Sequence, residues 1–182
     1  MRTEIFYMKE ILEQAKGWLS DTFDSETRTE IQQLIDSNSE DLADRFYKNM
    51  EFGTGGMRGI MGAGTNRINK YTLGKATQGL SNYLHKSFPN KNLKVAIAFD
   101  CRHNSKEFSK LVADVLSANN IQVYLFEDLR PTPELSFAVN YLNCDAGIVL
   151  TASHNPPEYN GYKVYWNDGG QIVPPQDAGI IN

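Results

Sequence analysis

Hydrophobic and polar positions divide the chain into a helical first quarter and an alternating remainder. Up to residue 50, apolar side chains recur at intervals of three and four residues, the spacing of an amphipathic helix. The pattern is clearest in two stretches, Ile31, Leu34 and Ile35, then Leu42, Phe46 and Met50. Two pairs at capping-box spacing, Thr27 with Glu30 and Ser37 with Glu40, predict helix starts. We therefore expect an N-terminal extension of two or three helices over residues 1–50, docked on the rest of the chain or on a partner.

The composition changes at Glu51. Six glycines fall within Phe52–Gly64, a density that favours a loop or tight hairpin over a helix. Helical spacing returns over Thr72–Phe88. We place the start of the main domain, residues 51–182, at this change.

Short apolar runs then alternate with amphipathic helices. The predicted strands are Lys94–Phe99, Ile121–Phe126 and Ala146–Leu150, and the predicted helices are Ser105–Asn119 and Pro133–Tyr141. Strands separated by helices pair in parallel through right-handed crossovers. Asn167–Gly170, between Tyr162–Trp166 and Gln171–Val173, is typical of a hairpin turn. The predicted class is α/β: a three-layer α/β/α domain with a mixed, mostly parallel sheet, preceded by the helical extension.

Composition and charge exclude several classes of partner. The net charge of the 182 residues is −4, and no basic stripe is present, which argues against nucleic acid and against an anionic membrane surface. The two cysteines, Cys101 and Cys144, have no ligand-spaced neighbours, so we expect no zinc site. The N-terminal residues lack the apolar stretch of a signal peptide, and no apolar run spans a bilayer. We therefore expect a cytoplasmic protein.

Candidate chemistry is concentrated in two loops, Asp100–Ser105 and Thr151–Gly161. Both follow predicted strands, and in such sheets ligands gather at the carboxyl ends of the strands. Ser153 comes directly after a buried strand, beside His154, and Pro156 and Pro157 stiffen its loop. The pattern indicates a nucleophile or a phosphate site. An ordinary Ser-Asn-Pro turn without chemistry remains an alternative.

Two other serine and phosphate motifs do not fit. The loop is not the Gly-x-Ser-x-Gly elbow of hydrolases, and no carboxylate is placed to orient His154. Gly74-Lys75 is not a P-loop, because Asn69 stands where the first glycine belongs and Ala76 follows the lysine.

Four ordered segments resemble the α-D-phosphohexomutases, the phosphoglucomutase/phosphomannomutase family. Thr151–Pro156 is similar to the family's active-site serine loop, and Phe52–Gly59 to its N-terminal FGTxGxRG segment. Asp100–Ser105 resembles the Asp-x-Arg loop, and Tyr159–Lys163 the Asn-Gly-aromatic-Lys segment. The helical lead, Gly-Gly-Met-Arg and Tyr165–Ile172 most resemble the phosphoglucomutase-2/phosphopentomutase-like branch.

The resemblance implies an isomerase that works through a phosphoserine. Ser153 would carry a phosphoryl group, donate it to a sugar monophosphate, and recover the other phosphoryl group from the resulting bisphosphate, moving phosphate between the 1- and 6-positions of a hexose. Phosphoryl transfer depends on positioning and charge neutralisation. The implied cofactors are Mg²⁺, held by the phosphoserine and aspartates, and an activator of the glucose 1,6-bisphosphate type.

The resemblance also assigns roles to single residues. Ser153 is the phosphoryl carrier and, through its phosphate, a metal ligand. Lys163 is the acid/base or charge-stabilising residue at the sugar hydroxyl, and His154 aids proton transfer. The residues implied to bind substrate or phosphate are Arg58, Arg102 and Asn155, and Arg102 with Asp100 is also suited to brace the serine loop.

The resemblance covers only the first of the family's four domains. The metal loop, the sugar-reading loop and the phosphate-gripping loop have no counterpart among these 182 residues, and no Asp-x-Asp occurs. We therefore expect the other domains of the full-length enzyme as partners, and little or no turnover by the isolated chain. Two alternatives stay open: a phosphopentomutase, and a catalytically silent module that binds sugar phosphate.

Overall fold

The elements alternate along the chain after a helical lead. The structure, a computed structural model, describes residues 2–53 and 55–181. The helices are α1 (Arg2–Gly17), α2 (Ser25–Asp36), α3 (Asp41–Phe46), α4 (Lys70–Ser87), α5 (Ser105–Ala118), α6 (Thr132–Tyr141) and α7 (Gln176–Ile181). The strands are β1 (Gly56–Ile60), β2 (Lys94–Phe99), β3 (Gln122–Leu125), β4 (Ala146–Leu150) and β5 (Tyr159–Trp166). None of the helices in these ranges is long and apolar enough to cross a membrane.

The five strands form one mixed sheet in the order β1-β5-β4-β2-β3. β2 pairs in parallel with β3 and β4, whereas β5 runs antiparallel to both β4 and β1. The predicted mixed sheet is confirmed, with two of its four pairings parallel. β5 reverses direction because only residues 151–158 separate it from β4, and a parallel crossover needs a dozen or more residues.

Helices cover both faces of the sheet, which confirms the three-layer prediction. α4 and α5 bury Leu80, Leu84 and Leu116 against one face. α6 packs Leu135 and Val139 on the other face, chiefly over β2 and β4. Most of β5 and β1 lies outside the footprint of α6, so that face of the sheet is open beside the serine loop.

Three local predictions need correction in part. The glycine-rich segment does form a tight antiparallel turn, with a bridge between Gly53 and Gly56, but it continues into a strand, β1, that pairs with β5. The predicted hairpin turn is present, but its second arm is reduced to a single antiparallel bridge between Tyr165 and Gln171. The side-chain cap of α2 comes from Asp24 rather than Thr27, and α3 has no side-chain cap. A capping box does occur, at the start of α4, between Asn69 and Thr72.

The N-terminal helices pack on the main domain through their own small core. Ile11, Ile31 and Phe46 are buried together with Ala63, which lies in the loop after β1. Charges reinforce this contact: Arg45 pairs with Glu30 and Asp41 and donates to the Ala63 carbonyl, while Arg67 pairs with Asp41 and Asp44. The extension is therefore anchored on the β1–α4 connection. The domain boundary at residue 50 stays a prediction.

Asp24 gives this contact a pH dependence that can be measured. Its carboxylate pairs with Lys70 at 2.8 Å and accepts the Tyr71 hydroxyl proton, joining the start of α2 to α4. The hydrogen bond from Lys70, followed by that from Tyr71, holds the pKa of Asp24 well below its usual range. A lowered carboxyl pKa stabilises the fold above the unfolded-state pKa of about 3.9, and that stabilisation disappears as the pH falls.

We expect Asp24→Asn to lower the free energy of unfolding by about 1 kcal/mol at neutral pH, since asparagine still caps a helix but carries no charge. The deficit should shrink on acidification below about pH 4. Urea unfolding at several pH values measures it. Asp21→Asn is the matched control, because that side chain is 98% exposed in its pair with Arg28. If Asp24→Asn lowered the free energy of unfolding equally at every pH, the stabilisation could not come from the charge of the Asp24 carboxylate.

Candidate active site

Ser153 stands exposed at the carboxyl edge of the sheet, three residues after β4 ends. Its backbone is left-handed, with φ of +58°, a conformation that disfavours any residue with a Cβ atom. Its N–H donates to Thr151 Oγ1 at 2.9 Å. The turn therefore holds the serine hydroxyl away from the sheet, where a ligand can reach it.

The left-handed turn predicts an unusual stability order for substitutions at this position. Ser153→Gly should exceed Ser153→Ala in free energy of unfolding by about 1 kcal/mol, because glycine adopts positive φ without a steric penalty. Chemical denaturation of the two variants compares them directly, and neither retains the hydroxyl. Equal stabilities would mean that the turn relaxes to negative φ.

Arg102 braces the serine loop through hydrogen bonds to its main chain. Its side chain is 11% exposed, and its Nε lies 3.4 Å from Asp100. Its two terminal nitrogens donate at 2.6–3.1 Å to four main-chain carbonyl oxygens, those of Ser153, Asn155, Pro156 and Tyr159. A guanidinium has five N–H donors, and the four carbonyl contacts match the four donors of the two terminal nitrogens. The geometry therefore fits the bracing role, and the phosphate-binding role implied by the resemblance stays a prediction.

A second network ties three of the family-like segments together. Asp100 accepts hydrogen bonds from the Arg102 N–H at 3.0 Å and from Ser105 Oγ at 2.9 Å. Asn160, which is fully buried, donates to Ser105 Oγ at 3.0 Å and to the His103 carbonyl at 2.9 Å. The Asp-x-Arg loop thus links the serine loop to the start of β5. Reasoning from the sequence missed Ser105 and Asn160 as site residues, although both lie inside matched segments.

Arg58 and Lys163 lie on the open face of the sheet. The β1–β5 register pairs Arg58 with Gly161 and Gly56 with Lys163, so both cations project from the face on which α6 lies. Arg58 is exposed and Lys163 is half-buried. Neither has a hydrogen-bond or ion-pair partner among the described residues. Two unpaired cations on an open face are suited to bind an anion.

His154 and Asn155 complete the loop. His154 is exposed, and its Nδ1 lies 3.5 Å from Ser153 Oγ, at the outer limit of a hydrogen bond. The Asn155 side-chain oxygen is buried and has no partner in the described part of the chain. The structure thus brings Ser153, His154 and Asn155 together on the loop that Arg102 braces. Thr54, in the glycine-rich motif, lies outside the described residues.

The described residues do not assemble a metal centre by themselves. No group of three or more His, Cys, Asp or Glu side chains is placed to hold an ion within residues 2–53 and 55–181. Asp100, the carboxylate beside the arginine that braces the serine loop, is engaged by Arg102 and Ser105.

Comparison with known proteins agrees with this geometry. Residues 49–182 match the family profile described as phosphoglucomutase/phosphomannomutase, alpha/beta/alpha domain I. The chain is 43% identical over 171 residues to a phosphopentomutase of Homo sapiens, covering 90% of this chain and 28% of that protein. It is 44% identical over 151 residues to a phosphoglucomutase of Staphylococcus epidermidis, covering 76% of this chain and 27% of that protein.

A solved structure shares the fold. A phosphoglucomutase/phosphomannomutase family protein of Burkholderia thailandensis superposes with a TM-score of 0.60 at 27% identity, covering 71% of this chain and 28% of that one. The chain therefore spans less than a third of the length of the relatives that it matches.

Proposed function

Because the chain belongs to the phosphoglucomutase/phosphomannomutase family, in which it corresponds to domain I, we propose that it is the phosphoserine-bearing part of a phosphosugar mutase. The observation that supports this most is the presentation of Ser153. Its hydroxyl is exposed on a turn that Arg102 braces through four carbonyls. Beside it lies an open sheet face with two cations, Arg58 and Lys163, that have no ion-pair partner among the described residues. A phosphoryl carrier needs this combination of access, fixed position and positive charge.

The transfer step assigns a role to each side chain. The bond between phosphorus and Ser153 Oγ breaks as a sugar hydroxyl oxygen bonds to the phosphorus, and the proton of that hydroxyl ends on Ser153. We assign Lys163 to the sugar hydroxyl and His154, through Nδ1, to the serine oxygen. The reverse transfer from the bisphosphate, using its other phosphoryl group, restores the phosphoserine and completes the isomerisation.

The remaining residues bind or position. Arg58 is suited to hold phosphate oxygens with its planar fork. The Asn155 side-chain oxygen, for which the described residues offer no hydrogen-bond partner, could accept a bond from the substrate. Arg102 keeps the loop in place. Mg²⁺, bound to the phosphoserine and to ligands from outside this chain, would neutralise charge on the transferred group. A sugar bisphosphate of the glucose 1,6-bisphosphate type would charge Ser153.

We assign the substrate to the hexose phosphates, with transfer between the 1- and 6-positions in the cytoplasm. A specific observation favours a second candidate: the human relative at 43% identity is named a phosphopentomutase. The two differ in the sugar accepted, so turnover of glucose 1-phosphate against ribose 1-phosphate by the native protein separates them. A silent module that binds sugar phosphate would convert neither.

The decisive test is phosphate on Ser153. The native protein is purified from its own cells, digested with trypsin, and the peptide containing Ser153 is analysed by mass spectrometry. We expect phosphoserine at this position, with none in a Ser153→Ala variant. An unmodified Ser153 that also stays unmodified after incubation with glucose 1,6-bisphosphate would favour the silent module.

We further expect the isolated 182 residues to show little or no mutase turnover. Sugar selectivity and the other metal ligands are expected from regions outside the chain, and misplaced or missing groups cost orders of magnitude in rate. A coupled mutase assay on this chain, with the native protein as reference, measures the difference. Equal rates would refute the expectation.

A further inference from the structure

We infer that the groove between the N-terminal helices and α4 is a binding site for an amphipathic anion, a flat aromatic or acyl group ending in a carboxylate, sulfonate or phosphate. This inference is independent of the proposed mutase activity. The groove lies against α4, on the side of the sheet opposite to the open face that holds Lys163.

Its size and lining are those of a ligand site. The groove has a volume of about 850 Å³, within the usual range for small-molecule pockets of roughly 300–1,000 Å³. The apolar wall consists mainly of aromatic side chains with two methionines: Trp18, Phe23, Met50, Phe52, Met57, Tyr71 and Tyr83. Residues of the extension and of the main domain both contribute, and ligand pockets occur preferentially at such junctions.

The positive charge of the residues that line the groove favours an anionic ligand. Lys75 and Lys86 line the groove, and none of the other described residues that line it is acidic or basic. The lining is therefore cationic in a chain whose net charge is −4. Both lysines are exposed, and neither has an ion-pair partner among the described residues. Lys70, one turn earlier, is by contrast committed to Asp24.

The two lysines share one face of α4. With Thr72, Gly79 and Asn82 they follow the helical spacing of three and four residues, and all five line the groove. Eleven residues along a helix correspond to roughly 16 Å, so each lysine stands near one end of the apolar floor. A ligand lying on the aromatic wall can thus place its anionic end against either lysine.

The test compares two dyes that differ in charge. Anilinonaphthalene sulfonate has aromatic rings and one anionic group, and phenylnaphthylamine has the same rings without it. Each is titrated into the protein and followed by its fluorescence. We expect saturable binding of the sulfonate at one site. Lys75→Gln with Lys86→Gln should weaken it roughly three- to tenfold and leave phenylnaphthylamine unchanged.

Two controls locate the site. Lys106→Gln with Lys110→Gln removes the same charge from exposed positions of α5 and should leave both dyes unaffected. Ala76→Trp, which fills the groove, should abolish binding of both. Absence of saturable binding, equal weakening by the two lysine pairs, or full binding to Ala76→Trp would overturn the proposal. Binding to this chain but not to the native protein would also overturn it, since a polypeptide segment would then be the occupant.

Discussion

Replacing Gly161 by alanine is expected to destabilise the domain by about 3 kcal/mol, the upper end of the usual cost of overpacking, because the site cannot relax. Gly161 lies in β5 between β4 and β1. A Cβ atom there would stand 2.6 Å from the Thr151 carbonyl oxygen and 2.8 Å from that of Met57. Both obstacles are backbone atoms, so no rotamer change relieves the clash.

The expected damage reaches the active site as well as the core. Gly161 accepts the Thr151 N–H at 3.1 Å and stands opposite Arg58 in the β1–β5 register. Moving either neighbour would shift the serine loop or the strand that presents Arg58. Glycine is therefore needed here for the close approach of three backbones.

Urea unfolding of Gly161→Ala measures the effect, and Gly74→Ala is the matched control. Gly74 lies inside α4 with no heavy atom within 4 Å of an added Cβ, so alanine there should stabilise the protein by about 1 kcal/mol. The same chemical change should thus act in opposite directions at the two positions. A loss below about 1 kcal/mol at Gly161 would show that the three strands can separate without cost.

The sequence predicts the buried strands well because their signal is local. Lys94–Phe99 and Ala146–Leu150 are continuous apolar runs, as expected for central strands covered on both faces. The spacing of apolar residues likewise predicts which faces of α4 and α5 are buried. Each of these elements is specified by the residues that form it.

β1 and the caps show where local reasoning fails. The glycine-rich segment becomes a strand only because β5, about 100 residues later, pairs with it. Asp24, rather than Thr27, caps α2 partly because Lys70 and Tyr71 of α4 also bind the Asp24 carboxylate. In both cases the deciding partner lies outside any sequence window.

The residues of the site could be predicted from the sequence, but the hydrogen bonds between them could not. The loop motif identified Ser153, and the structure places it exposed on a fixed turn. The bracing contacts of Arg102 are with main-chain carbonyls, which every residue has, so no side-chain pattern reveals them. The substrate contacts of Arg58, Lys163, His154 and Asn155 stay predictions.

Replacing Arg102 by methionine is expected to release the serine loop. Methionine approximates the length of the side chain but donates no hydrogen bond, so four carbonyl oxygens and the Asp100 carboxylate lose their partner. Unsatisfied groups in a part-buried site should lower the free energy of unfolding by about 3 kcal/mol. The loop itself should lose more order than the sheet beneath it.

Two measurements separate loop release from general destabilisation. Hydrogen exchange of the amides at positions 153–155, 158 and 159 should accelerate roughly tenfold or more in Arg102→Met, while the central β2 and β4 amides change in proportion to global stability alone. In the native protein, charging of Ser153 by glucose 1,6-bisphosphate should slow by a factor of about 100, the cost of a misplaced reacting group.

Arg130→Met provides the matched control for charge and size. Arg130 pairs on the surface with Glu134 and, within the described residues, makes no contact with the serine loop. Its loss should change stability by about 0.5 kcal/mol or less. Arg102→Lys should not rescue the loop, because one ammonium has three donors and lacks the planar fork that reaches four carbonyls. If Arg102→Met kept wild-type exchange at positions 153–155, 158 and 159, the bracing role would be wrong, and Arg102 would have to act on the phosphate instead.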